Sequence, residues 1–285
     1  MKKIYLTLSS CLLCIVAIAQ NPVSEALPFV QLDYNPASIS MGSTYIGSAA
    51  MVPLSDSNLN AGALYQSYMP EIDGTQYMGV GVSGKKDALG LSLAFVRGKG
   101  AGITGEKFSP SEMMLNIGAG YAFTENLSAG INVKYARDQI LSDYSHGAVA
   151  ADIFVAGKMD RFDYAGGVSS IGQKVASEST GSFRLPSAAT LGCGYTVGEE
   201  HVLRTRVKAD FYFSKAVAAG IGAEYAYKGM VSARCGYHYG GDSVIPSFAS
   251  AGLGLHIGDF TIDAAYLFAS DVLKNSFAVS AGVRF

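Results

Sequence analysis

Phe277-Ala278-Val279-Ser280-Ala281-Gly282-Val283-Arg284-Phe285 places Phe277, Val279, Ala281, Val283 and Phe285 on one parity and Ala278, Ser280, Gly282 and Arg284 on the other. Successive side chains of an extended strand point to opposite faces. The stretch is therefore a strand with one continuously apolar face and one small or polar face that carries an arginine. Such a strand needs an apolar medium on one side only.

Segments of the same kind recur upstream. Alternation over about ten residues, the length of a tilted strand crossing the hydrocarbon layer, is read at 61–70, 75–84, 88–98, 111–123, 127–137, 146–157, 162–171, 187–197, 201–213, 216–227, 230–239, 247–257, 259–269 and 275–285. That makes fourteen strands, with the weakest alternation in the first and the seventh. The chain is 49% hydrophobic and only 15% charged, against about a quarter charged in soluble domains. Past the N-terminus no apolar run approaches the ~20 residues of a membrane helix. Lipid offers no hydrogen bonds to an open sheet edge, so spanning strands must close. The expected fold is all-β, a transmembrane antiparallel barrel of about fourteen strands over residues 61–285.

The N-terminus reads as an export signal. Lys2 and Lys3 precede an apolar stretch ending in Ala17-Ile18-Ala19, a small-x-small pattern that puts cleavage between Ala19 and Gln20. Leu8-Ser9-Ser10-Cys11 fits a lipoprotein pattern, but almost no apolar segment precedes the cysteine. Removing 1–19 takes two lysines and no acids from 21 basic and 23 acidic residues, leaving a charge of −4. Nothing in that balance points to nucleic acid. Of four cysteines, Cys193 and Cys235 stay, on lipid-facing positions of non-adjacent strands, and free thiols are expected.

Connections after even strands are tight, as at 84–87, 124–126, 159–161, 198–200 and 228–229. Those after odd strands are mostly longer: 98–110, 138–145, 172–186 and 239–246. Short turns face the periplasm in outer-membrane barrels, so an even count puts both termini there. Along 201–213, Leu203, Thr205, Val207, Ala209, Phe211 and Phe213 alternate with Arg204, Arg206, Lys208, Asp210 and Tyr212, and the charges must point inward. Glu224, Arg234, His238, Lys134, Asp152 and Asp263 share the inner parity. Tyr121, Phe123, Tyr195, Tyr225 and Phe285 supply one aromatic girdle, and Tyr135, Phe211, Tyr237 and Phe268 the other, in a chain without tryptophan. Inner positions are rich in small residues, among them Gly90, Ser92, Gly118, Gly120, Gly130, Gly192, Gly194, Gly252 and Gly254. Glycine permits close backbone approach. The candidate for the approaching body is 20–60, apolar at Leu27-Pro28-Phe29-Val30 and 46–54, and it is expected to form a plug or hatch rather than a disordered tail.

The polar constellation that stands out is Arg204, Arg206, Lys208, Asp210, Glu224, Arg234 and His238. It reads either as an anion or carboxylate site in a transport path or as an internal charge network that holds the barrel interior and plug. His146, His201, His238 and His256 are scattered, without metal-ligand spacing. Ser232 and His238 share a face, a weak hint of hydrolase chemistry. The chain is expected to be non-enzymatic, without cofactor or metal.

Two resemblances follow. The closing strand, with its terminal Phe285, resembles the signal by which outer-membrane barrels are recognised by the insertion machinery. Ala219-Gly220-Ile221-Gly222-Ala223-Glu224-Tyr225, Ala233-Arg234-Cys235-Gly236-Tyr237, Ala251-Gly252-Leu253-Gly254-Leu255 and Asp263-Ala264-Ala265-Tyr266, with Leu27-Pro28-Phe29 and Met41-Gly42 upstream, resemble the PorV/PorQ family. Departures occur at Asn35 to Ser40, where the family carries an arginine, at Asn60-Ala61-Gly62-Ala63-Leu64, where its proline is missing, and at Ala264-Ala265-Tyr266. The resemblance implies a fatty-acid-transporter-type barrel in the outer membrane of Bacteroidota. It also implies an adaptor role in type IX secretion, binding the translocon or the C-terminal domains of exported cargo through the loops at 98–110, 172–186 and 239–246. The alternative is a fatty-acid-transporter-like channel for small hydrophobic molecules.

Overall fold

The computed structural model describes residues 25–46, 49–71, 74–100, 108–141, 144–177, 181–241, 243 and 245–285. The expected signal segment 1–19 and its Ala19–Gln20 junction lie outside them. The strands are β1 (Leu59–Tyr68), β2 (Thr75–Lys86), β3 (Leu89–Lys99), β4 (Phe108–Thr124), β5 (Leu127–Leu141), β6 (Tyr144–Met159), β7 (Phe162–Gly172), β8 (Val175–Ser177), β9 (Gly181–Phe183), β10 (Ala188–Val197), β11 (His201–Tyr212), β12 (Val217–Tyr227), β13 (Val231–Tyr239), β14 (Phe248–Ile257), β15 (Phe260–Phe268) and β16 (Phe277–Arg284). Fourteen of them form one closed antiparallel barrel, while β8 and β9 make a separate two-stranded hairpin between β7 and β10.

Closure depends on the chain's last residues. β16 pairs with β1 from Asn60↔Arg284 to Ser67↔Phe277. The ladder continues one residue further, since the Phe285 N–H donates to the Leu59 carbonyl at 2.8 Å and the Phe285 carbonyl accepts from the Asn58 and Leu59 N–H groups. Phe285 as a whole residue is 64% exposed. No strand edge is left unpaired in the ring, which is what a lipid environment demands.

Facing follows the alternation. On β12, Ile221 and Tyr225 are exposed while Ala218, Gly220, Gly222, Glu224 and Ala226 are buried; on β13, Val231, Ala233, Cys235, Tyr237 and Tyr239 are exposed with Ser232 and His238 buried. Cys193 and Cys235 are both free and on the outer face. The weak seventh segment has a structural cause: the β6–β7 ladder shifts register between Ala151 and Ile153, and a bulge breaks period two.

Three connections differ from expectation. The described residues of 138–145 are strand, and 108–110 already belong to β4, because β4, β5 and β6 run to 17, 15 and 16 residues. The β5–β6 ladder stays paired to Leu141↔Tyr144, with Asp138 opposite His146, in strands longer than the ~10 residues that cross the hydrocarbon layer. The 172–186 stretch is built around the β8–β9 hairpin rather than being open loop.

Candidate functional site

Residues 25–46 and 49–58 run through the lumen. Asn35 caps the short helix Pro36–Ile39 by accepting from the Ala37 N–H at 3.0 Å, and Pro36 occupies the first turn, where no donor is needed. Leu27, Phe29 and Val30 pack against Tyr77, Val96, Met114, Ala136, Ala148 and Ala150 of the wall and Val175 and Leu185 of the hairpin region. Ala50 and Leu54 pack against Phe154, Ala156 and Ala165. Met41 is fully buried. Residues 53–58 leave by the turn end, where Lys158 Nζ donates to the Leu54 carbonyl at 2.6 Å. The other end reaches the loop side, where the Ala26 N–H donates to the Arg184 carbonyl at 2.9 Å. The two ends of the barrel thus lie at the turn end, as an even strand count requires, yet Glu25, the first described residue, stands at the opposite mouth.

The small wall residues explain this fit. A Cβ at Gly120 or Gly130 would fall on the backbone of Ala49 or Ala50; one at Gly222 or Gly236 on Met41; one at Gly220 on the Gly42 carbonyl; one at Gly252 on Ser40. Gly42 itself needs to be glycine, with φ +73° and its Cβ position against the Tyr237 carbonyl. The Gly-rich run over strands β12–β14 and the Met41-Gly42 pair are therefore the two halves of one contact. Serine hydroxyls complete it: Ser128 Oγ donates to the Ala50 carbonyl at 2.5 Å, and the Gly42 N–H donates to Ser250 Oγ at 3.3 Å.

The inward charges are arranged by register. Arg204 lies opposite Glu224, and Glu224 opposite Arg234. Glu224 accepts from Arg204 Nη1 and from Arg234 Nε, each at 2.5 Å, while Arg234 Nη1 reaches Asp263 at 2.6 Å. Arg206 pairs with Asp163 at 2.9 Å and lies over the Tyr45 ring at 4.6 Å from its centroid. Lys208 pairs with Asp210 at 3.1 Å, and Lys134 with Asp152 at 2.8 Å. Asp210 also accepts from Thr190 Oγ1 at 2.6 Å. Of the seven candidate residues, six belong to these pairs, and no cation among them is left for an outside anion. His238 stands apart, stacked on Phe248 at 5.0 Å. Ser232 is six residues from His238 along one strand, about 20 Å at a strand's rise, so the two form no catalytic pair. Among the described residues no group of three His, Cys, Asp or Glu could hold a metal ion.

Between segment and wall lies a cavity of about 860 Å³. The lining is apolar and small on β1 to β4, with Gly62, Leu64, Gly79, Val96 and Met114; polar groups follow at Asn116, Asn132 and Lys134 on β4 and β5, and stand across the ring at Lys208 and His238 on β11 and β13. Asp33, from the N-terminal segment, also lines it. Burial holds the Asp33 carboxyl above the usual carboxylate range, against the opposing effects of Ser38 Oγ, the Asn35 N–H and the charge of Lys208. Asp33, Thr44 and Tyr45 were not singled out from the sequence. They carry no periodic signal, and only the folded path of the segment brings them to the wall.

The fold is shared with a hydrocarbon channel. A solved structure described as the CymD monoaromatic hydrocarbon channel superposes with a TM-score of 0.65 at 12% identity, over 92% of this chain and 99% of the other. The Pseudomonas putida toluene transporter TodX gives 0.60 at 13%, over 88% and 98%. A Pseudomonas aeruginosa FadL homologue gives 0.56 at 11%, over 94% and 99%. At these identities the likeness concerns the fold: a fourteen-stranded outer-membrane barrel of the FadL-like kind. No protein-family model matches the sequence, and no curated protein matches it.

Proposed function

We propose that this chain is a non-enzymatic outer-membrane channel for small hydrophobic molecules. The observation that carries the reading is the cavity of about 860 Å³ between an internally packed N-terminal segment and the small, apolar wall of β1 to β4, in a fold shared with CymD and TodX. Concave, largely apolar sites with a few placed polar groups are the common form of small-molecule sites. The segment 25–58 then acts as the hatch, and both barrel ends, Leu59 and Phe285, face the periplasm. The test is accumulation of a radiolabelled monoaromatic compound by cells carrying the full chain, compared with cells carrying an unrelated closed barrel. Equal accumulation in the two would refute it.

A second reading rests on the Gly-Tyr run at 219–266 and Met41-Gly42, which resemble PorV/PorQ barrels. It makes the chain an adaptor for type IX secretion in a bacterium of the Bacteroidota. The partners would be the translocon or the C-terminal domains of exported cargo, met at the β8–β9 hairpin and the 239–246 loop. Crosslinking from cysteines placed in the 172–186 stretch separates the two. Recovery of a large translocon barrel or exported proteins favours the adaptor, and recovery of lipid alone favours the channel.

A further inference from the structure

One row of the lumen wall lies level across four strands. Lys208 on β11 is opposite Gly220 on β12, Gly220 is opposite His238 on β13, and His238 is opposite Phe248 on β14. The glycine leaves room for the N-terminal segment, and Thr44 sits over it, with Cγ2 3.1 Å from where a Gly220 Cβ would be. Thr44 and His238 are 2% and 3% exposed, and both line the cavity. Thr44 Oγ1 has no hydrogen-bond partner. Nor has either ring nitrogen of His238 at hydrogen-bond geometry, although the Gly42 carbonyl stands beside the ring. Buried polar groups are as a rule satisfied, so these two atom sets await something in the cavity. Asn116 Oδ1 and Gln31 Oε1 on the same cavity are in the same condition.

The charges around them restrict what that can be. Lys134, Arg206 and Lys208 are each committed to an aspartate of the wall, and Arg284 lies exposed at the turn end. Asp33 faces Lys208 and has no ion pair among the described residues. An incoming carboxylate would meet no spare cation in the middle of the cavity and would stand near Asp33 and Asp210. It also cannot donate to Thr44 Oγ1 or to the acceptor nitrogen of a neutral His238, whereas an ammonium group cannot accept. A hydroxyl or an amide does both, as do Thr44 and a neutral imidazole.

Resting on the channel reading above, we propose that the cavity selects an uncharged amphiphile, an apolar body with a hydroxyl or amide head, and that Thr44 and His238 seat the head. The body has the opposite side of the same cavity, with Leu64, Val96 and Met114, to lie against.

The test uses the full chain in lipid nanodiscs, with empty nanodiscs as the blank, titrated calorimetrically with toluene, benzyl alcohol, benzoate and benzylammonium. Benzyl alcohol is expected to bind at least about tenfold more tightly than toluene or either ion, the effect of one or two hydrogen bonds made in a desolvated site. Thr44→Val and His238→Phe, made separately so that a folding defect in one leaves the other informative, should bring that ratio towards one. Toluene binding should stay within about twofold. A ratio near one in the unaltered chain, a preference for benzoate or benzylammonium, or a ratio that survives both substitutions overturns the head-group assignment while toluene binding leaves the channel reading standing. If none of the four binds, the channel reading falls and this one with it.

Discussion

Gly222→Ala combined with Gly236→Ala tests the contact that holds the N-terminal segment in the lumen. The two glycines are opposite one another on β12 and β13, and both lie under Met41. A Cβ at Gly222 would stand 2.5 Å from Met41 Cβ and 2.7 Å from its carbonyl carbon; one at Gly236 would stand 2.6 Å from Met41 Cα. Two of these three atoms are backbone, so no side-chain rotation relieves the overlap. Overpacking of this kind costs roughly 1–3 kcal/mol per site, and sites sharing one neighbour do not add fully. Lifting Met41 also exposes a side chain whose burial is worth about 1.5–3 kcal/mol. A net loosening of about 2 kcal/mol raises the detached population some thirtyfold. Conductance of the barrel in planar bilayers should rise, and protease should cut residues 25–58 faster. Heat-modifiable electrophoretic mobility, a measure of the closed barrel, should persist. Gly81→Ala is the control, since its Cβ would meet nothing nearer than 3.6 Å. A doubly substituted barrel that stays folded with unaltered conductance and protease resistance would refute the idea that these glycines exist to admit the segment.

Further outcomes follow from the charges and thiols. Lys134→Met leaves Asp152, 3% exposed, with only the Ser170 N–H at 2.8 Å and Asn132 at 3.4 Å as partners; urea unfolding from micelles should show a loss of about 3–5 kcal/mol, largely recovered by adding Asp152→Leu. Glu224→Gln should cost a similar amount, because one carboxylate serves both Arg204 and Arg234, and a change below about 1 kcal/mol would show that the network is not structural. Burial raises the Asp33 carboxyl above its ordinary value, so the segment's hold is fully present below the ordinary carboxylate range and weakens as pH rises through the raised value. Glu25 is raised in the same sense, and protease susceptibility of 25–58 should climb with pH less steeply in Asp33→Asn. Cys193 and Cys235 face outward and should label with a lipid-soluble maleimide in membranes while resisting a charged, impermeant one.

Period-two alternation is a local property, enforced at every strand by the cost of a charge in lipid. For that reason strand number, facing, the outward cysteines and closure through the terminal strand were all legible in the residues. Arg204, Glu224 and Arg234 could even be placed on the inner face, because parity decides it. Pairing could not be read the same way. That Arg206 meets Asp163 rather than Asp210 depends on two strands 43 residues apart in sequence and on the slant of the barrel. The excess of lumen glycine showed that some backbone approaches the wall, but not that Met41 lies on Gly222 and Gly236 or Ala49 on Gly120. Those contacts join distant parts of the chain with no repeat to mark them. The extension of β4, β5 and β6 beyond the ~10 residues that cross the hydrocarbon layer was likewise hidden, since hairpin pairing in water tolerates polar residues on both faces. The sequence by itself determined the solvent on each side of the wall, through a periodicity that lipid imposes residue by residue. Only the tertiary structure decided what fills the lumen and what stays empty in it, because Thr44, Asp33 and His238 come together through chain reversal and ring closure, which no local pattern encodes.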